Sequence, residues 1–155
     1  MSYIFTFFRV VLPIYRDKLL SSNGSLRNGG RFNPRGEFGA LYLAESQSVC
    51  EAELSRKGII PRKYHIGKIK AKLEKILDLT DKDAIKSLDI NLDEIMEDNF
   101  VISQALGRWA HSKGYDAIVY PSITGQGKAL CVFENSLEMG ENITLLDEWD
   151  VNNSK

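Results

Sequence analysis

The chain has 155 residues, of which 43% are hydrophobic and 26% charged, with twenty basic residues against twenty-one acidic ones. That length suits one domain with a buried core and excludes two full ones. A formal charge of −1 excludes a broadly cationic surface, so nucleic acid is not the expected partner, although a local basic pocket for a phosphate is compatible with it.

Tyr3 to Leu12 is rich in aromatic and β-branched residues and reads as a buried strand ended by Pro13. Ile14 to Leu20 has room for one or two helical turns. Ser21 to Gly39 then carries five glycines, Pro34, and Arg27, Arg31 and Arg35 without an apolar period. A loop of this length inside a compact domain is usually functional or disordered. Ala40–Ala44 reads as a strand buried on both faces. A helix follows, capped by Ser46 or by Ser48 with Glu51 in an S-x-x-E box, and ended at Gly58.

Tyr64 to Leu73 alternates after a glycine interruption, with Ile66, Ile69 and Ala71 inward and His65, Lys68, Lys70 and Lys72 on a wet face. Ile76 to Leu79 is a further short strand, and Thr80 is placed to cap a helix over 81–87. Phe100 to Ser112 is the clearest helix, with Val101, Ile102, Ala105, Leu106, Trp109 and Ala110 on one stripe and Gly114 as terminator. Strands are expected over 117–120, 129–133 and 143–146, with a turn at Gly125-Gln126-Gly127 and a frayed tail from about residue 150. The pattern predicts a single α+β domain over 1–155, built from short mixed or antiparallel strands and about three helices.

Cys50 and Cys131 are too few for a disulfide scaffold and read as buried thiols. With His65 and His111 they show none of the paired spacings of a zinc site. No apolar run approaches the ~20 residues that span a bilayer, and the apolar N-terminus lacks the flanks of a secretory signal. A cytoplasmic protein is expected.

Glu53 is the most informative single residue. On a helical wheel it falls between Val49 and Cys50, inside the apolar arc, whereas Glu51 points away. A carboxylate there is either a structural ion pair or a functional group, since an unpaired one would be costly. Arg31 follows Gly29-Gly30, which let backbone approach a ligand closely, and its planar fork suits phosphate or carboxylate. It belongs to neither a P-loop nor a dinucleotide fingerprint. Ser122 ends a strand without a nucleophile elbow. Tyr42 reads first as a core aromatic with an edge hydroxyl, and Arg9 as a structural partner at the end of a strand.

The order of these residues is that of a known family. Gly29-Gly30-Arg31-Phe32-Asn33-Pro34, then Gly39-Ala40-Leu41-Tyr42-Leu43-Ala44-Glu45-Ser46, then Glu53, resembles the RES-domain family. Gly114 to Ser122 is similar to its serine segment and Phe8-Arg9-Val10-Val11 to its opening strand; Phe32 stands where tryptophan is common. The resemblance implies an ADP-ribosyltransferase-like fold and a toxin of a toxin–antitoxin pair that consumes NAD by hydrolysis or phosphorolysis. It implies Arg31, Glu53 and Ser122 as the site with Tyr42 beside them, and adds Arg9 and Asn33 as substrate contacts. NAD enters as substrate, with no resident cofactor or metal. The implied partner is an antitoxin with a helix-turn-helix domain, and a homo-oligomer is compatible. The alternatives are a protein ADP-ribosyltransferase with the same pocket and an inactive binding module.

Overall fold

The computed structural model describes residues 2–56, 58, 61–138 and 142–152. Among these residues seven strands form one sheet: β1 (Tyr3–Val11), β2 (Ala40–Ala44), β3 (Lys63–Leu73), β4 (Ile76–Asp78), β5 (Ala117–Pro121), β6 (Lys128–Phe133) and β7 (Ile143–Asn152). Their order is β4-β5-β6-β2-β1-β3-β7. β4 and β5 run parallel and the other neighbours antiparallel.

Six α-helices, among the described residues, join a 3-10 segment at Pro13–Lys18: α1 (Asn23–Asn28), α2 (Gln47–Arg56), α3 (Lys82–Ser87), α4 (Leu92–Ile95), α5 (Val101–Ser112) and α6 (Glu134–Glu138). The expected α+β class holds. The helix count exceeds expectation because α1, α4 and α6 are little more than single turns, too short for an apolar period to show.

β5 and β6 are buried on both faces. Ile118, Cys131 and Phe133 pack with Phe32, Phe38, Leu79 and Ala110 on one side. Val119, Leu130 and Val132 pack with Phe7, Leu41 and Ile69 on the other. β1 joins β2 through a single registered pair, Phe8↔Ala44, whereas β1 and β3 are in register from Tyr3↔Leu73 to Val11↔His65. The sheet is therefore thinly joined at its middle, and backbone that would otherwise close a ladder leaves a cleft there.

Several local expectations need correction. Asn23–Asn28 is helical inside the presumed loop. Of the two caps expected for α2, Ser46 serves, accepting from the Val49 N–H at 3.2 Å. Asp81, not Thr80, caps α3. β1 is largely half-exposed, with Phe7 alone fully buried. The buried positions of α5 are Ser103, Gly107 and Ala110, while Val101 and Ile102 lie 67% and 45% exposed. Close approach of backbone, served by small residues, sets that face instead of side-chain bulk. β7 continues through Asn152, so the tail is ordered to that point; residues 153–155 lie outside the described part.

His65 is the largest departure. It is buried, its Nδ1 2.7 Å from Asp150 and its Nε2 2.8 Å from Glu148 across the β3–β7 pairing. Burial opposes the charged ring, but the two carboxylates prevail and raise its pKa above the ordinary value. A raised folded-state pKa contributes stability that is fully present below the unfolded value, about 6.5 for histidine, and is lost as pH rises through the folded value. The stability gap between wild type and His65→Gln is expected to shrink as pH is raised above that point, which melting curves across the range check.

Candidate active site

Glu53 sits in the second half of α2, whose Val49 and Cys50 are buried against Ala44. This is the wheel position expected for it. Ser122 follows β5 directly and is buried. Its N–H donates to the Gly127 carbonyl at 3.0 Å, so the Gly125–Gly127 turn fixes its direction. The Ser122 hydroxyl donates to Glu53 Oε1 at 3.0 Å and lies 2.9 Å from the Thr124 hydroxyl. Residues 69 positions apart thus share one hydrogen bond.

Two cavities meet at Glu53. One, of about 210 Å³, opens at the β1–β2 parting and is lined by Phe8, Arg9, Tyr42, Cys50, Glu53 and Tyr120 among others. The second, of about 490 Å³, is lined by Arg31, Glu53, Arg56, Asp98, Phe100 and Ile123. Glu53 is the described residue common to both. A third cavity, of about 570 Å³, runs from Arg9 past Tyr15, Lys18 and Arg27.

Arg31 projects from the glycine loop into the second cavity. Its Nη1 donates to the carbonyls of Ile95 at 3.1 Å and Glu97 at 2.7 Å, and the guanidinium stands 4.7 Å from the Phe100 ring centre. Those bonds fix one corner of the planar fork and leave its other edge for an anion. Arg9 is placed similarly. Nη1 donates to the carbonyls of Lys18, Leu19 and Ser21, and burial lowers its pKa to about 10, which leaves it charged at neutral pH.

Tyr42 and Asn33 are tied to each other. The Tyr42 hydroxyl donates to Asn33 Oδ1 at 2.6 Å and accepts the Phe32 N–H at 3.0 Å. Asn33 is 0% exposed and its amide donates to the carbonyls of Ser25 and Phe38. Asn33 therefore presents no surface to a ligand, contrary to its expected role as a substrate contact; it shapes the loop that carries Arg31. Gly30 is required here, since a Cβ would stand 2.6 Å from the Tyr42 hydroxyl. Burial raises the phenol pKa of Tyr42 far above neutrality, so it is no general base. Tyr42→Phe would strand two buried polar groups and is expected to cost about 1–3 kcal/mol, read by denaturant unfolding.

Sequence reasoning did not single out Tyr120, Arg56 or Phe100. Tyr120 is buried with its ring 4.8 Å from that of Phe32, and burial holds its hydroxyl protonated. Burial also pushes the Cys50 thiol up to about 12 and raises that of Cys131, which removes both as nucleophiles at neutral pH.

The sequence matches the RES domain over residues 6–152. It is 29% identical over 136 residues to the NAD(+) phosphorylase MbcT of Mycobacterium tuberculosis and to that of Mycobacterium bovis, covering 82% of this chain and 73% of each relative. A probable NAD(+) phosphorylase of M. tuberculosis is 27% identical, with 79% and 62% covered. The structure is similar to the M. tuberculosis MbcT-MbcA toxin–antitoxin complex, with a TM-score of 0.83, 26% identity, and 99% of this chain and 87% of the other covered. The loop with Arg31, the strand with Tyr42, the helix with Glu53 and the strand end at Ser122 all fall within the matched span, and the chain belongs to the RES domain family.

Proposed function

We propose that this chain is the toxin of a toxin–antitoxin pair and depletes NAD by phosphorolysis of the nicotinamide–ribose bond. The observation that carries this reading is the Ser122–Glu53 hydrogen bond at the junction of two cavities, in a chain similar to NAD(+) phosphorylases.

Cleavage of that bond passes through an oxocarbenium-like state, as in glycoside hydrolysis. Nicotinamide leaves as a neutral molecule from a cationic ring and takes the bond's electron pair, so it needs no proton. One carboxylate then suffices where glycosidases use two. Glu53 stabilises the positive charge that develops on the ribose, held in orientation by Ser122. The smaller cavity, walled by Phe8, Tyr42 and Tyr120, suits a flat aromatic ring. Arg9 and Arg31 flank Glu53 as guanidinium contacts, Arg9 for the phosphoryl oxygens of NAD in the smaller cavity and Arg31 for a substrate anion in the larger one. Tyr42 acts at the site through its ring and through the loop it clamps. NAD is a consumed substrate, with no resident cofactor in the proposal.

The partner is an antitoxin carrying a helix-turn-helix domain, which silences the enzyme in the cytoplasm of the cell that makes it. Among the described residues no helix is long and apolar enough to cross a membrane. The test is to incubate the purified chain with radiolabelled NAD in phosphate buffer without another protein. Free nicotinamide and a soluble labelled sugar are expected. Label retained on protein would instead identify an ADP-ribosyltransferase, and unchanged NAD an inactive module.

A further inference from the structure

The two cavities that meet at Glu53 differ in chemistry. The smaller is walled by the rings of Phe8, Tyr42 and Tyr120 and carries a single guanidinium, Arg9, beside Glu53. The larger presents two guanidiniums, Arg31 and Arg56, with Asp98 as the opposing charge beside Glu53. A displacement at the ribose carbon needs such a division. The acceptor cannot enter through a seat the leaving nicotinamide still fills, so a second chamber must open on the same carbon.

We propose that the larger cavity is the acceptor site for inorganic phosphate, and that Arg56 is the residue that selects phosphate over water. This rests on the NAD phosphorolysis argued above. Two guanidiniums beside one chamber match the oxygens of a phosphate dianion, which accepts bidentate hydrogen bonds from each. Water needs no such charge. Arg31 is held on the cavity wall by the Ile95 and Glu97 carbonyls. Arg56 is more loosely held. Its Nη2 lies 3.5 Å from Asp98, with the two side chains 50% and 89% exposed. An exposed pair of this kind contributes little, so phosphate can replace the Asp98 carboxylate at small cost.

The step balances. A phosphate oxygen forms a bond to the ribose carbon as the carbon–nitrogen bond breaks. The electron pair of that bond goes to the nicotinamide nitrogen, which loses its positive charge. The products are neutral nicotinamide and an ADP-ribose bearing a phosphate ester at that carbon. Hydrogen phosphate keeps its own proton, so no base is needed to activate it. Glu53, on the shared wall, faces the carbon throughout.

Initial rates of nicotinamide release test this on the full chain, with phosphate varied at saturating NAD and NAD varied at saturating phosphate. Arg56→Gln is expected to raise the KM for phosphate about tenfold or more, the scale of one charge-assisted hydrogen bond, and to leave the KM for NAD within about twofold. The product should shift from the phosphate ester toward free ADP-ribose. Asp98→Asn, which frees Arg56 of its resident counter-ion, should lower the KM for phosphate. An unchanged phosphate KM in Arg56→Gln would overturn the assignment. A KM for NAD that rises in step would also overturn it, because Arg56 would then serve the dinucleotide. A wild-type protein that releases no nicotinamide at any phosphate concentration would instead overturn the proposed reaction itself.

Discussion

Replacing Glu53 by glutamine is expected to lower NAD turnover by about 10² to 10³, the usual loss when one preorganised electrostatic contact to a transition state is removed. Glutamine keeps the shape and can still accept from the Ser122 hydroxyl, which now donates to Oε1 at 3.0 Å. It lacks the charge that a developing oxocarbenium requires. α2 is fastened by Val49 and Cys50 in the core and by the Tyr64 hydroxyl donating to Glu51, so the melting temperature should barely move. Because an interaction made mainly in the transition state is lost, kcat should carry the effect and the KM for NAD should change little. Turnover within a few-fold of wild type would remove Glu53 from the chemistry.

The largest expected effect on stability comes from Gly107→Ala. A Cβ at Gly107 would stand 1.7 Å from the Phe32 carbonyl oxygen and 2.6 Å from its carbonyl carbon. Both are backbone atoms and cannot turn aside. α5 therefore lies directly on the loop that carries Arg31, and neighbouring contacts fix it there. Ser103 donates to the Arg31 carbonyl at 2.6 Å, and the Gln104 amide donates to the Gly30 carbonyl at 2.9 Å. One added methyl forces the helix and the loop apart. The cost should be about 3 kcal/mol or more, at the upper end of overpacking. Activity should fall with it, since Arg31 and the Tyr42–Asn33 clamp move with the loop. A melting temperature equal to wild type would show that the helix and the loop are not in such close contact.

What the sequence could reveal depended on whether a residue's role was local. β2, β5 and β6 were legible because both faces are buried and the apolar runs are short and bounded by turns. α2 was legible from its cap and its glycine stop, and Glu53 from its place between two core residues. The face of α5 is not legible from its apolar residues. Val101 and Ile102 look like core but are exposed, while Ser103 and Gly107 have no apolar signal and are buried because a carbonyl group sits on them. Period-2 alternation places His65 on a wet face; its burial depends on Glu148 and Asp150, more than eighty residues later. The geometry of the candidate site is not legible in any one segment of the sequence. Nothing local says that Ser122 reaches Glu53, that the Tyr42 hydroxyl donates to Asn33, or that Arg56 shares a cavity with Arg31. Those are facts of the β1–β2 parting and of the loop packed beneath α5.

The most direct test of the account follows the anomeric proton of the nicotinamide riboside by nuclear magnetic resonance, with purified wild type and Glu53→Gln in phosphate buffer. Wild type is predicted to erase that signal and yield free nicotinamide together with a phosphate-esterified ADP-ribose, while Glu53→Gln leaves NAD intact over the same period. NAD that survives the wild-type protein, or that disappears equally fast with both proteins, would contradict a Glu53-centred NAD phosphorylase.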